Sequence, residues 1–277
     1  MAFAHILVVG AGQMGGGIAQ VVAASGRRVS LYDAAPGAVE RGLETMRRSL
    51  TKLAEKGGGP HPDEVLARVE PADDLVAADL LIEAVIEDAT VKEEIFRRAD
   101  EVLPPQAILA SNTSSIPIAS LAAVTGRPDR VIGMHFFNPV PVMALVEVVR
   151  APATSDETAS AIVALARELG KTPAEANDFP GFVSNRILMP FVNEAVWALH
   201  DGVADAEAID TIAKLGFNHP IGPLALADLI GLDTCVAIME VLELGLGDDR
   251  YAPCPLLREY VAEGRLGRKS GQGFYAY

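Results

Sequence analysis

The stretch His5-Ile6-Leu7-Val8-Val9-Gly10-Ala11-Gly12-Gln13-Met14-Gly15 decides the fold. A short run of Ile, Leu and Val reads as a strand buried on both faces, and the glycines follow it at once. Behind them Ile18, Val21 and Val22 recur at helical spacing, so the segment is strand, tight turn and helix. In such a unit Gly10 permits the turn and Gly12 lets the backbone approach a pyrophosphate. Gly15 lets the helix pack closely on the strand, while free amides and the helix dipole hold the anion.

The plainer alternative is an ordinary strand–turn–helix with no ligand. Against it stands Asp33, which closes the next apolar run 21 positions after Gly12. A carboxylate there can accept from both hydroxyls of a ribose and would repel a 2′-phosphate. Its neighbours Ala34 and Ala35 add no cation, so NAD is expected rather than NADP.

Working outward, apolar runs at 5–9, 28–33, 79–85, 108–111, 130–137 and 145–149 alternate with helical patterns. Continuous Val/Ile/Leu strands with helices between them imply an α/β, Rossmann-type doubly wound sheet. From about residue 178 the pattern changes. Leu188, Phe191, Val192, Ala195 and Leu199 recur at helical spacing up to Gly202. Asp205 can cap a second helix carrying Ile209, Ile212 and Leu215, and Pro223 can open a third. The expected division is a nucleotide-binding domain over 1–180 and a smaller all-helical domain over 181–277.

Composition narrows the function classes. The chain has 277 residues, half of them hydrophobic, with 23 basic against 37 acidic residues and a net charge of −14. That balance argues against broad binding to nucleic acid or to anionic membranes. Cys235 and Cys254 form neither a metal spacing nor a disulfide framework, which points to a reducing interior. Met1 leads directly into the first strand, without the basic and apolar regions of a signal peptide. The charge-free run 131–146 is broken by Asn138, Pro139 and Pro141, so it is no membrane helix. A soluble cytoplasmic protein is expected.

Chemistry-bearing side chains cluster in the middle of the chain. His135 lies near the end of an apolar run, and Glu147 is a single charge inside the next. Taken alone, His135 reads as a core histidine and Glu147 as the solvated position of an edge strand. Asn112-Thr113-Ser114-Ser115 precedes Ile116-Pro117, so any of these polar residues can cap a helix. Arg48, Lys52 and Lys56 share one helical face, where they read either as an anion-binding row or as a solvated face with Glu44 paired to Arg48. Gly267-Arg268-Lys269-Ser270 looks superficially like a phosphate loop, but no strand leads into it.

Five ordered motifs, at 10–19, 110–115, 135–139, 178–186 and 271–275, together resemble the L-3-hydroxyacyl-CoA dehydrogenase family, particularly its short bacterial 3-hydroxybutyryl-CoA members. The resemblance spans nearly the whole chain and implies reversible, NAD-dependent oxidation of (S)-3-hydroxyacyl-CoA thioesters, with short chains preferred. It makes His135 the general base, Glu147 its partner, and Ser114 and Asn185 the groups that orient substrate. It places Glu87, Lys92 and Asn112 near the cofactor, beside Gly10, Gly12, Gly15 and Asp33. It gives Ser49 and Lys56 to the CoA moiety and implies a homodimer; no ligand cluster in the sequence calls for a metal. Asn185 would sit at the junction of the domains, where substrate clefts tend to lie. Rival readings are a 3-hydroxyadipyl-CoA substrate, a free hydroxy acid of the gulonate type, or a non-catalytic crystallin-like protein. The presence of both His135 and Glu147 speaks against the last.

Overall fold

The computed structural model describes residues 3–277. The chain divides into two compact units, the first ending at Phe179 and the second running Pro180–Tyr277.

The first unit begins β1 (His5–Val9), α1 (Gln13–Ala24), β2 (Arg28–Tyr32), α2 (Ala38–Glu55), α3 (Pro62–Leu66) and β3 (Val69–Ala72). It continues through β4 (Leu80–Glu83), α4 (Ala89–Val102), β5 (Ile108–Ser111) and α5 (Ile118–Ala123). It closes with β6 (Val131–Phe136), β7 (Leu145–Arg150), α6 (Asp156–Glu168) and β8 (Thr172–Asn177). The strands form one sheet in the order β3-β2-β1-β4-β5-β6-β7-β8. Every neighbouring pair is parallel except β6 with β7.

This is the doubly wound α/β architecture expected from the apolar runs. The central strands are dry on both faces: Ile6, Leu7, Val8, Leu80, Leu81, Ile82, Ile108 and Leu109 are fully buried. Burying a side chain of this size contributes about 1.5–3 kcal/mol, so these strands dominate the cohesion of the unit. The sheet adds β3 and β8 to the six strands read from the sequence. The chain runs outward from β1 through β2 to β3, then restarts at β4 on the other side of β1. That reversal leaves a crevice at the carboxyl ends of β1 and β4, where sheets of this kind hold their ligands.

The second unit is helical: α7 (Ser184–His200), α8 (Ala206–Gly216), α9 (Pro223–Ile230), α10 (Leu232–Leu246) and α11 (Pro255–Ala262). The expected signals act where they were placed. Asp205 caps α8 by accepting from the Ala208 amide, and Pro223 occupies the first turn of α9. Val192, Val196, Leu224, Leu232, Met239 and Leu242 form its core. Phe274 and Tyr275 of the tail pack against this core. The backbone amides of both donate to Asp228, and the Tyr275 hydroxyl donates to Asp210. Lys269 is tied to Asp233 through its ammonium at 2.7 Å, so the 267–270 segment is part of this tail.

Candidate active site

The turn after β1 is shaped by contacts that leave little choice of residue. Gly10 has φ +102°, and a Cβ there would lie 2.5 Å from the carbonyl oxygen of Ala84. At Gly15 a Cβ would lie 1.8 Å from the carbonyl oxygen of Gly10, so any larger residue would push α1 off the strand. Gly12 differs: a Cβ there would meet nothing within 4 Å. Its bare backbone therefore faces open space at the start of α1, where the helix amides point outward.

Asp33, just past β2, closes this turn. One carboxylate oxygen accepts from the Ala11 amide at 2.8 Å and the other from the Ala35 amide at 2.9 Å. Each oxygen retains a second lone pair. A cavity of about 720 Å³ runs along the turn, lined among others by Gly12, Asp33, Arg41, Ser49, Asn138 and Pro141. It is large enough for an extended nucleotide, and a carboxylate and bare backbone in its lining suit the ribose and pyrophosphate of NAD. Ser49 lines this cavity, whereas Lys56 caps the end of α2 on the exposed surface. Arg48 donates to Thr45 and Arg47 pairs with Asp63, whereas the Glu44–Arg48 pairing of the solvated-face alternative is not formed among the described residues.

The loop 138–143, which forms the opposite wall, is held by a residue that sequence reading missed. Lys171 is buried and donates to the carbonyl oxygens of Val140 at 2.6 Å and Met143 at 2.7 Å. Burial without a carboxylate partner pulls its amine below the usual lysine range. A lone lysine after Gly170 carries no pattern that could have announced this role. Gln13 adds a tie from the glycine turn by donating to the Asn138 side chain at 3.0 Å.

His135 and Glu147 are direct cross-strand partners in the antiparallel pair β6–β7. Both are nearly buried, and His135 Nδ1 lies 3.0 Å from Glu147 Oε2. A carboxylate only accepts, so Nδ1 carries the proton and the lone pair falls to Nε2. The Phe137 ring lies 4.7 Å from the imidazole and packs against it. Twelve positions of separation bring the two together because the chain turns between them and returns in register.

The segment after β5 carries Asn112 and Ser114. Asn112 Oδ1 accepts from the Phe136 amide at 2.9 Å, next to His135. Glu87, partly exposed in the loop after β4, accepts from the Ser114 and Ser115 amides and from the hydroxyls of Thr113 and Ser115 through one oxygen. The Ser114 hydroxyl lies 3.3 Å from the same oxygen. Burial pushes the Glu87 carboxyl upward, but the Lys92 ammonium and these donors outweigh it and hold the group below its ordinary range. Lys92 is almost fully buried, with Nζ 2.6 Å from Glu83 and 3.4 Å from Glu87. Its ammonium is thus turned toward carboxylates inside the unit.

Asn185 lies buried in the first turn of α7 in the second unit. Gly12 and Asp33 line the cavity, and Gly10 and Gly15 shape the turn beside it; His135, Glu147, Asn112, Ser114, Glu87 and Lys92 are knitted to the ends of β4 to β7.

A dinucleotide cradle and a carboxylate-backed histidine carried by one sheet describe an NAD-dependent oxidoreductase. Comparison with known proteins narrows that class. Residues 5–179 match the NAD binding domain of 3-hydroxyacyl-CoA dehydrogenase, and residues 181–277 match its C-terminal domain. The chain belongs to the 3-hydroxyacyl-CoA dehydrogenase family. It is 56% identical to a probable 3-hydroxybutyryl-CoA dehydrogenase of Bacillus subtilis, over 100% of this chain and 98% of the relative. It is 57% identical to a protein of the same description from Deinococcus radiodurans, over 98% of this chain and 99% of that one. Among solved structures, the (S)-3-hydroxybutyryl-CoA dehydrogenase of Ralstonia eutropha superposes with a TM-score of 0.96 at 49% identity, covering 100% and 99% of the two chains.

Proposed function

We propose that the protein interconverts (S)-3-hydroxyacyl-CoA and 3-oxoacyl-CoA thioesters with NAD, and that 3-hydroxybutyryl-CoA is its preferred substrate. The observation that carries this reading is the His135–Glu147 pair, set in register on β6 and β7 in the sheet that bears the nucleotide cradle. The names of the relatives supply the substrate class.

Bound NAD supplies the hydride acceptor at its nicotinamide ring. His135 Nε2 takes the proton from the 3-hydroxyl during oxidation and returns it to the oxygen during reduction. Glu147 fixes the tautomer and stabilises the imidazolium that forms. Ser114 and Asn185 are assigned to hold the substrate's oxygens, which lowers the orientational cost of reaction. Asp33 holds the adenosine ribose, and the Gly10–Gly15 turn receives the pyrophosphate. Glu87, Lys92 and Asn112 belong to the cofactor's surroundings, with Glu87 nearest to Ser114. Ser49 and Lys56 are the assigned CoA contacts, and of the two Ser49 has the support of lining the cavity.

A homodimer is part of this reading. In the second unit Leu215 is 81% exposed, Phe217 62% and Leu244 88%, and apolar side chains of this size gain from being covered by a second copy. No helix among the described residues is long and apolar enough to cross a membrane. Together with the two unpaired cysteines, this supports a cytoplasmic setting.

The test is NADH oxidation with acetoacetyl-CoA, run beside free acetoacetate and with NADPH in place of NADH. Activity confined to the thioester and to NADH is expected. Turnover of the free acid at a comparable kcat/KM would overturn the CoA assignment, and an NADPH preference would overturn the role of Asp33.

A further inference from the structure

The proposed mechanism makes no use of Glu83, although it is a fully buried acid at the end of β4. Its Oε1 accepts from Lys92 Nζ at 2.6 Å and from the Val85 amide at 2.7 Å. Its Oε2 accepts from the Ser111 hydroxyl at 2.6 Å, and its carbonyl oxygen accepts from the Asn112 amide at 2.7 Å. These donors come from three segments: the loop after β4, helix α4, and the end of β5.

Stability alone does not account for such a group. A buried ion pair gains little over an apolar pair of the same volume, because desolvation consumes most of the attraction. Direction is what distinguishes it. Lys92, held by Glu83, presents its ammonium to Glu87 at 3.4 Å. Glu87 in turn gathers the amides of Ser114 and Ser115 and the hydroxyl of Thr113. A second route leaves Glu83 through Ser111 and Asn112 and ends on the Phe136 amide, adjacent to His135. The turn bearing Ser114 and the strand bearing His135 therefore share one anchor.

We infer that Glu83 is a positioning residue for the dehydrogenase reaction, fixing the Ser114 turn relative to the His135 strand so that a substrate oxygen is held at the imidazole. The inference rests on the function proposed above. Removing the charge leaves Lys92 buried with only the partly exposed Glu87, and the Ser114 turn relaxes. Small misplacements of orienting groups are felt in turnover more than in cofactor binding.

The experiment compares the parent with Glu83→Gln and Ser111→Ala in NADH oxidation with acetoacetyl-CoA, reading kcat, the KM of NADH and the thermal midpoint. Glu83→Gln is expected to lower kcat roughly tenfold or more, with the KM of NADH within about threefold of the parent. Ser111→Ala keeps the Lys92–Glu83 pair and deletes two hydrogen bonds, the one donated to Glu83 and the one accepted from the Thr113 amide, so a kcat loss of about threefold or more at unchanged KM is expected. It decides the matter if Glu83→Gln does not fold. A lowered thermal midpoint with kcat within about twofold of the parent would make Glu83 merely structural and overturn the inference. A raised KM for NADH at unchanged kcat would overturn it as well. A parent inactive on acetoacetyl-CoA would instead sink the proposed function, so the two failures are distinct.

Discussion

The first unit contains two buried base–carboxylate pairs, and they are built differently. His135 and Glu147 face each other across two antiparallel strands, with Nδ1 3.0 Å from Oε2. Lys92 reaches from a helix to Glu83 at the end of a strand, and Glu83 also takes a backbone amide and a serine hydroxyl. In the mechanism proposed above, the imidazole takes a proton from the substrate and returns it, while the carboxylate orients the ring. The lysine pair is tied into three segments of the backbone. On the proposed reading, the first pair moves a proton and the second holds the frame around it.

The comparison breaks most readily at His135. His135→Ala is expected to lower kcat by roughly 10²–10⁴-fold with modest change in the KM of NADH, measured with acetoacetyl-CoA. Glu147→Gln keeps an acceptor for Nδ1 but removes the charge, so a smaller loss of about a hundredfold, mainly in kcat, is expected. A larger loss in Glu147→Gln than in His135→Ala would mean that the carboxylate does more than orient the ring.

Asp33→Ser tests the proposed cofactor cradle. With the carboxylate gone and Arg41 lining the same cavity, the ratio of NADPH to NADH activity should rise roughly tenfold. A ratio unchanged within twofold would remove Asp33 from its role.

The smallest effect concerns the frame. Glu87 is held below the ordinary carboxylate value of 4.5, so it binds its proton less readily folded than unfolded. Its contribution to stability is therefore full above about pH 4.5 and is lost as pH falls through the lower folded value. Thermal midpoints of Glu87→Gln and the parent should differ at neutral pH and converge in acid. A gap that persists or widens toward acid would contradict this sign.

Both pairs lie among the same apolar strands, yet only one was legible in the sequence. Glu147 interrupts Leu145-Val146-Glu147-Val148-Val149, and a charge flanked by apolar residues draws notice. Glu83 falls inside the run read over 79–85, but no motif singles it out, and it is the structure that ends the strand at this residue. Its donors at Lys92 and Ser111 are brought to it only by the packing of α4 and the pairing of β4 with β5. The same contrast holds for the strands. The buried β1 and β5 were read with their observed bounds, because continuous apolar runs report burial on both faces. The strands β3 and β8 escaped notice since Pro71 and Pro173, with exposed Glu70 and Glu175, mark the edges of the sheet. Lys171 was illegible for a related reason: its partners are backbone carbonyls, which leave no trace in residue identity.

The most direct test of the central claim, that His135 and Glu147 act as one acid–base unit, is a double-mutant cycle in kcat on acetoacetyl-CoA. If the carboxylate works only through the ring, adding Glu147→Gln to His135→Ala should cost no more than about threefold beyond His135→Ala alone. If the two losses instead multiply, the residues act independently and the pairing of base with orienting carboxylate is wrong.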